Sequence, residues 1–456
     1  MATQRQAIID SHRYKTLIQK WDLYIPFIEL GIRYLCKDKG RCSMIVPYPL
    51  TNQLYAQKSR EMLLNEFSLY EVADLRGTKV FEDATVTSTI FFVQRQIEKQ
   101  EINISKIENN ALQPVYKKDK DSLLQDEKSL VWNLDNSKKI TNRHEGMKVL
   151  GDYCYISKGM VLNSDEKKAK GEFIKEDLIS LTKDEIHCRG YVEAKDIDKY
   201  IINRVRYLEY NTDRSPEKLS RPTFRELYNI PKLLTNKIGP LKVTIDINNL
   251  LCDQTNRICV LWKDLKGVEN NSIIVSLKKY SAYSRTQLEQ LSENVDILYL
   301  LAILNSKYAN CLLDDIRGDG NIDVNPEYIR NIPIPECTDQ QPFIDLADKM
   351  LSLNKDLQAK RTRFIRRLQD NMPDIKITGT LETFDTLDFA GFVAELKKQK
   401  IKLSLVQQDE WEDFFIQYKT ACTELTSAIS ATDAEIDTRV YALYGLTEDE
   451  IKVIEG

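Results

Sequence analysis

The 456-residue sequence is poor in the side chains that build metal and disulfide sites. It has only three histidines, and its nine cysteines are scattered without a Cys-x-x-Cys pair. Because structural zinc is bound by closely spaced cysteine and histidine, a zinc centre is not expected. Nine free thiols are typical of a reducing compartment, so we expect a cytoplasmic protein.

Long apolar runs are also missing. No stretch approaches the length of a membrane span, and no apolar signal region follows the polar start at 1–6. We therefore expect a soluble chain without a membrane partner. The net charge of -4 does not exclude nucleic acid, because a basic surface can lie within a balanced total.

Several catalytic motifs are absent as well. The sequence has no Gly-x-x-x-x-Gly-Lys phosphate loop and no Gly-x-Ser-x-Gly elbow, which argues against a standard NTPase and a serine hydrolase. Glu193-Ala194-Lys195 has the Asp/Glu-x-Lys form of magnesium nucleases, but such triplets arise by chance in a chain with 29% charged residues.

The helix and strand patterns that do occur in the sequence predict an α/β fold joined to α+β parts. In residues 1–97 helices alternate with strands, which predicts a mostly parallel sheet too short to be a complete doubly wound domain. Its first helix is marked by apolar residues at helical spacing, with further apolar residues on the same side. The first set is Leu23, Phe27, Leu30 and Tyr34, and the second is Ile28, Ile32 and Leu35.

The rest of the chain divides into three predicted parts. Residues 98–148 are a polar connecting segment, and 149–340 are a mixed α+β domain with basic clusters. Residues 341–456 carry heptad-spaced apolar positions such as Phe343, Met350, Leu357 and Phe364, and a second apolar series begins at Trp411. Two such helices joined by a spacer predict an antiparallel hairpin arm.

The N-terminal motifs resemble TaqI-like N6-adenine DNA methyltransferases. The matching segments run in the family's order over about 75 residues. They are Trp21–Glu29, Gly40–Pro47, Leu50–Asn52, Ser59–Leu64 and Val80–Ile90. The first is similar to the helix after the catalytic motif, and the last resembles the late aromatic motif. The resemblance implies the later part of a methyltransferase fold.

Downstream motifs extend the resemblance. Tyr155–Met160 is similar to the opening of the family's target-recognition domain, and Leu301–Ser306 and Tyr328–Pro335 resemble its closing helix and exit segment. Val440–Thr447 resembles the tail of fused type IIG restriction–methylation enzymes. The resemblance therefore implies duplex DNA as a partner.

Two motifs of the family are missing. The family binds S-adenosylmethionine through a glycine-containing loop and handles adenine with Asn-Pro-Pro-Tyr, and neither occurs here. The nearest sequences, 317–320 (RGDG) and 325–328 (NPEY), follow no predicted strand and are interpreted as turns. The complete enzyme would use S-adenosylmethionine, but we expect no cofactor for this chain alone and no catalytic residue within it.

The resemblance also implies roles for two aromatic residues. Phe81 takes the position of the aromatic that packs against the flipped base, and Phe27 takes that of a contact to the adenine ring of the cofactor. Both residues could equally be core side chains. No residue is predicted to bind a metal.

The basic clusters of 149–340 mix cations with aromatic and amide side chains, as phosphate contacts and base reading require. The predicted DNA-binding residues are Arg204, Arg206, Tyr207, Arg221, Arg225, Lys232, Lys237, Lys279 and Arg285.

These observations predict sequence-specific DNA recognition for adenine methylation in a restriction–modification system. A catalytic methyltransferase half or subunit would then be a partner, either as a separate polypeptide of a split enzyme or as the remainder of a fused one. Two alternatives stay open: an active methyltransferase with diverged motifs, and a scaffold protein that does not bind DNA.

Overall fold

The structure is a computed structural model. It describes residues 2–76, 78, 80–81, 87–97, 101–108, 111–126, 130–134, 144, 146–162, 174–212, 224–318 and 322–455. The chain divides into two compact units. The N-terminal unit comprises residues 1–139 with 317–321, and the C-terminal unit comprises 140–316 with 322–456.

The N-terminal unit is built on one five-stranded sheet. Its elements are α1 (Ala2–Asp10), α2 (Tyr24–Glu29), β1 (Arg41–Pro47), α3 (Gln57–Asn65), β2 (Ser68–Asp74), β3 (Ser88–Gln94), β4 (Ile102–Glu108), β5 (Ala111–Lys118), α4 (Lys120–Leu123), β6 (Leu124–Asp126) and β7 (Val131–Trp132). The strand order in the sheet is β1-β3-β2-β4-β5. The segment 98–148 thus contributes two strands to this sheet.

The sheet is mixed. Strands β1, β2 and β4 run in one direction, but only β2 and β4 pair in parallel. Strand β3 lies antiparallel between β1 and β2, and β5 returns antiparallel beside β4. The predicted α/β and α+β fold class is confirmed, whereas parallel pairing is limited to one pair, because alternation along the chain reveals strands but not their order.

The buried face of the first helix agrees only in part with the predicted one. Ile28 and Ile32 are fully buried as predicted, and Ile25 is buried with them. Phe27, Tyr34 and Leu35, which were predicted on the same face, are exposed. The buried and the exposed positions both recur at helical spacing, so spacing alone could not separate them. The helix continues after α2 as a π-helical turn, Leu30–Leu35, which packs on β1 near Cys42 and Met44.

A buried arginine explains one of the family-like motifs. Arg60 on α3 donates hydrogen bonds to the carbonyl oxygens of Leu50, Gln53 and Leu130, at 2.8 to 2.9 Å. Burial lowers the pKa of its guanidinium to about 10. Arg60 therefore holds the loop that follows β1, because it satisfies carbonyls that have no strand partner.

The C-terminal unit contains two four-stranded sheets and a helical arm. Its first part comprises α5 (Leu150–Tyr153), β8 (Cys154–Lys158), β9 (Ile179–Ser180), β10 (His187–Val192), β11 (Ile197–Asp198), β12 (Ile201–Ile202), β13 (Arg206–Glu209), β14 (Lys232–Thr235), β15 (Val243–Asp246), β16 (Leu251–Cys252) and β17 (Arg257–Leu261). The sheet orders are β15-β14-β17-β8 and β16-β10-β13-β9, and β11 pairs with β12.

Helices complete this unit. They are α6 (Asn271–Tyr280), α7 (Arg285–Glu293), α8 (Ile297–Asn305), α9 (Lys307–Arg317), α10 (Pro326–Arg330), α11 (Gln341–Asn371), α12 (Gly379–Glu382), α13 (Phe389–Lys398), α14 (Leu405–Leu443) and α15 (Glu448–Glu455). Helix α8 is apolar up to its last residue, Asn305, and is buried from Tyr299 onward. Among the described residues, no helix combines the length and apolarity that crossing a membrane requires.

The arm, α11 to α14, has the predicted hairpin form. Phe343 and Met350 near the start of α11 share a core with Val440 near the end of α14. At the other end, Phe364 packs with Phe415. The two long helices are therefore antiparallel, and the heptad positions are buried as predicted.

One buried carboxylate ties α14 to the start of α9. Asp437 accepts the backbone N–H of Lys307 at 2.8 Å. Burial, partly offset by that hydrogen bond, raises the pKa of Asp437 to about 6. Such a carboxyl binds its proton more tightly folded than unfolded, so stability falls as pH rises from about 4 to about 6 and is level above that.

We expect Asp437→Asn to stabilise the chain by about 2 kcal/mol at pH 7, because the amide keeps the acceptor oxygen without the buried charge. The gain should vanish at about pH 3, where the wild-type carboxyl is protonated in both states. Urea unfolding at the two pH values measures the difference. An equal gain at both would contradict this account.

Candidate nucleic-acid interface

Strand register gathers basic residues at one end of the sheet β15-β14-β17-β8. Lys158, the last residue of β8, lies opposite Arg257, the first residue of β17. Arg257 lies opposite Thr235, the last residue of β14, and Lys237 follows two residues later. Side chains from positions about 80 and 100 residues apart in the chain therefore meet at one edge.

A groove of about 550 Å³ opens at the same end. Its lining includes Lys195, Lys237 and Lys242, together with Asn203 and Thr255. The Thr255 hydroxyl accepts the backbone N–H of Ala194 at 3.1 Å, which fixes the segment carrying Lys195. We call Lys158, Lys195, Lys237 and Lys242 the basic end.

Positive charge is in excess at the basic end. Lys195 pairs with Glu193 at 2.8 Å and Lys242 with Asp198 at 3.0 Å. Within the described part of the chain, Lys158 and Lys237 have no carboxylate within 4.0 Å. Partial burial and the nearby charges of Arg257 and Lys237 lower the pKa of Lys158. An incoming phosphate would relieve this repulsion.

Arg257 is buried beneath the basic end and does not reach solvent. Its guanidinium donates to the carbonyl oxygens of Val324 at 2.5 Å and Gln254 at 2.8 Å. Burial lowers its pKa to about 10. Arg257 thus contributes charge to the basic end but no direct contact.

Gly159 fixes the position of Lys158. A Cβ on Gly159 would lie 2.0 Å from the Asp253 carbonyl oxygen and 2.5 Å from that of Cys252. The next residue, Met160, donates its N–H to Cys252 at 2.9 Å. The Lys-Gly-Met motif therefore needs glycine because two backbone segments touch there.

We expect Gly159→Ala to destabilise the chain by about 2–3 kcal/mol, since backbone atoms must move apart to admit the methyl group. Gly379→Ala is the matched control, because no atom lies within 4 Å of its added Cβ. The control should change stability by less than about 1 kcal/mol. Urea unfolding of the two variants measures both, and equal stabilities would contradict the steric account.

Two of the predicted DNA-binding residues are internal. Lys232 is fully buried and pairs with the equally buried Asp246 at 2.5 Å. Arg206 is buried, pairs with Asp196 and Glu193, and stacks over Tyr191. Their charges are neutralised inside the protein, so the structure gives them a packing role instead of a DNA contact.

Other predicted residues lie on the surface in different settings. Lys279 pairs with Glu327 at 2.9 Å, and Arg285 pairs with Glu289 at 2.8 Å. Arg225 is exposed on a short 3-10 turn, and half-buried Tyr207 lies opposite Gly190 on the second sheet. Arg221 lies outside the described residues.

Arg204 and Lys237 are the predicted residues that the structure brings near one another. Lys237 belongs to the basic end, and Arg204 lines an adjoining cleft of about 760 Å³ that shares Lys195, Asp198 and Asn203 with the groove. Arg204 approaches Glu382 of the arm at 3.5 Å. Both stay predictions as DNA contacts.

Three members of the basic end escaped prediction from the sequence. Lys158, Lys195 and Lys242 stand in different segments. Strand pairing brings Lys158 and Lys242 to one end of the sheet, and the hydrogen bond from Ala194 to Thr255 holds the segment of Lys195 there. The one available signal was the position of Lys158 directly before the glycine of the family-like motif.

The nuclease-like triplet Glu193-Ala194-Lys195 forms ion pairs. Glu193 bonds Lys175, Lys195 and Arg206, at 2.5, 2.8 and 3.0 Å. Burial raises the pKa of Glu193, but the three cations outweigh it and bring the value to about 2. Within the described ranges, no three Cys, His, Asp or Glu side chains are grouped as metal ligands would be. Glu193 therefore acts as an ion-pair centre.

The residues present do not fit an S-adenosylmethionine site. The sequence has no family-type glycine loop, and Phe27, the residue that the resemblance assigns to the cofactor, is 56% exposed. Asn325 and Pro326 begin the short helix α10, and Glu327 bonds Lys279, so this segment is no catalytic loop. Phe81 is 50% exposed, and its role beside a flipped base stays a prediction.

Two family models match parts of the chain. Residues 336–440, which contain most of the arm, match DUF8810, a domain of unknown function. Residues 1–81 match the Eco57I restriction-modification methylase family. The relationship to restriction–modification methyltransferases predicted from the sequence is thereby confirmed. No curated protein matches the sequence.

Solved structures of restriction–modification enzymes are similar at low identity. The type IIL enzyme MmeI in complex with DNA has 10% identity and a TM-score of 0.41, covering 92% of this chain and 53% of that one. The DrdV–DNA complex has 11% identity and a TM-score of 0.42, covering 74% and 40%. The type IIG endonuclease BpuSI has 12% identity and a TM-score of 0.28, covering 94% and 50%. This chain spans about half the length of these proteins.

Proposed function

We propose that this chain is the DNA-recognition half of an adenine-specific methyltransferase of a restriction–modification system. The observation that carries the proposal is that residues 1–81 match restriction-modification methylases while the C-terminal unit holds an undercompensated basic end. Adenine specificity rests on the resemblance of the N-terminal motifs to N6-adenine enzymes.

The proposed role follows from what adenine methylation requires. An enzyme reaches the amino group of adenine only when the base leaves the stack, and the duplex must be held meanwhile. Lys158, Lys195, Lys237 and Lys242 would contact phosphates, and Arg204 and Asn203 at the rim carry groups suited to base edges. The methyl donor and catalytic loop would come from another part of the enzyme.

The sheet of the N-terminal unit supports a need for that other part. Strand β1 pairs only with β3 among the described strands, so its outer edge offers unpaired N–H and C=O groups. Exposed Ile45 lies on β1, and exposed Phe27 and Leu35 lie on the segment packed beside it. We propose that a catalytic half covers this edge. Size-exclusion chromatography with light scattering tests this. If the chain is a monodisperse monomer at high concentration, the edge of β1 does not need a partner to cover it.

The function is tested by selecting from randomised duplex DNA with the purified chain, followed by titration at two salt concentrations. We expect enrichment of one short adenine-containing site and an affinity that falls steeply as salt rises. Binding without enrichment would remove the recognition role. Absence of binding would favour a scaffold protein, and methyl transfer by the chain alone would favour an active enzyme with diverged motifs.

A further inference from the structure

Helix α11 carries a short run of exposed cations in its second half, between exposed Asp356 and Asp370. Between residues 359 and 367 the solvent-facing side chains are basic apart from Ala359 and Thr362. We call the four cations the arm stripe: Lys360, Arg363, Arg366 and Arg367. All four are exposed, and they span about two helical turns, or roughly 10 Å of helix.

Among the described residues, no carboxylate forms an ion pair with the arm stripe. Within the described part of the molecule, none of its four cations has a carboxylate within 4.0 Å. Arg361 on the same helix shows the contrast, because it donates two hydrogen bonds to Asp385, at 2.8 and 2.7 Å. The arm therefore pairs the cation that faces inward and leaves the stripe open.

Ordinary helix stability does not account for the stripe. Cations favour the last turn of a helix, but the last turn of α11 contains no basic residue. Arg363 and Arg367 are spaced i,i+4, where like charges repel. Within 359–367 the exposed charges are all basic, whereas the first half of α11 mixes signs with exposed Asp345, Asp348 and Lys349.

A cluster of acidic residues lies on the other long helix of the arm. Its exposed carboxylates are near the start of α14, at Asp409, Glu410, Glu412 and Asp413. No ion pair joins this group to the stripe among the described residues. The arm thus carries a local basic stripe on α11 and a local acidic cluster on α14.

We propose that the arm stripe binds the phosphate backbone of duplex DNA beside the recognised site. The proposal rests on the proposed function and gives a role to a domain whose function is unknown. Duplex DNA carries one negative charge per about 1.7 Å of its axis, so a 10 Å row of cations meets several phosphates. Guanidinium groups suit this contact because they bond phosphate oxygens in a fixed fork. The contact adds affinity without sequence preference.

The test compares two triple variants of the full chain. Lys360→Gln/Arg363→Gln/Arg367→Gln replaces three of the four cations of the stripe. Lys349→Gln/Arg439→Gln/Lys452→Gln removes the same charge from exposed positions elsewhere in the C-terminal unit. Affinity for the selected duplex is titrated from 50 to 200 mM salt, and oligomeric state is measured by light scattering.

We expect the slope of log affinity against log salt to fall by about 2.7 in the stripe variant, which is roughly a 40-fold smaller loss of affinity over that range. The enriched sequence should stay the same, and the control variant should keep the wild-type slope. An unchanged slope in the stripe variant, with wild-type binding intact, would overturn the arm proposal alone. Absence of salt-sensitive binding by the wild type would overturn both proposals. A changed oligomeric state with an unchanged slope would assign the stripe to a second copy of the chain instead.

Discussion

Replacing Lys158, Lys237 and Lys242 together with glutamine is expected to lower affinity for duplex DNA by about two orders of magnitude at 0.1 M salt. Each lost phosphate contact removes about 0.9 from the salt slope, and three contacts together account for a loss of that size. The effect should be large because, among the described residues, Lys158 and Lys237 have no carboxylate within 4.0 Å. A titration at several salt concentrations measures affinity and slope together.

The control variant replaces two other cations that the sequence predicted to bind DNA, Lys279 and Arg285. Lys279 and Arg285 are bonded to Glu327 and Glu289, so Lys279→Gln/Arg285→Gln should change affinity little. If this double variant lost more affinity than the triple variant of the basic end, the DNA would lie on a different face. Circular dichroism of each variant checks that the fold is intact.

The second large effect concerns stability. Lys232→Met is expected to destabilise the chain by about 3–5 kcal/mol, because it leaves the buried Asp246 carboxylate without its cation. That carboxylate also accepts the backbone N–H groups of Asn248 at 2.7 Å and Leu250 at 2.8 Å, which keep it in place. Urea unfolding, followed by the fluorescence of buried Trp262, measures the loss.

Two companion variants separate the buried pair from a surface charge. Lys237→Met, five residues away and exposed, should change stability by less than about 0.5 kcal/mol. Lys232→Met/Asp246→Asn should recover part of the lost stability, because it removes the uncompensated buried charge, while the amide oxygen still accepts one of the two N–H groups. A Lys232→Met protein of wild-type stability that had lost DNA binding would restore the contact role predicted from the sequence.

The sequence was sufficient for the elements with long periodic patterns. The heptad positions from Phe343 to Phe364 identified α11, because an apolar stripe over 31 residues has few other interpretations. Motif order likewise identified the N-terminal segment, since several short matches in sequence reinforce one another. The short helix α2 was harder, because Ile25–Ile28–Ile32 and Leu23–Phe27–Tyr34 both keep helical spacing.

The interface was less accessible to prediction, for a physical reason. Lys232 and Lys237 stand in one basic cluster, yet one begins a fully buried strand and the other follows its end. Composition does not distinguish these positions. Conversely, Lys158 and Lys242 stand far apart in the chain and reach one end of the sheet only through the pairing of β8, β14, β15 and β17. Long-range register, which local patterns do not encode, determined the site.

The place of β3 in its sheet has a consequence for synthesis on the ribosome. Strand β3 follows β1 and β2 in the chain but lies between them, and β2's other neighbour, β4, comes later still. Among the described strands, β1 and β2 therefore have no hydrogen-bonding neighbour until residues 88–94 have left the exit tunnel. During that interval both strands are open to mispairing, so co-translational protection by chaperones would matter most while the segment 41–94 is being synthesised.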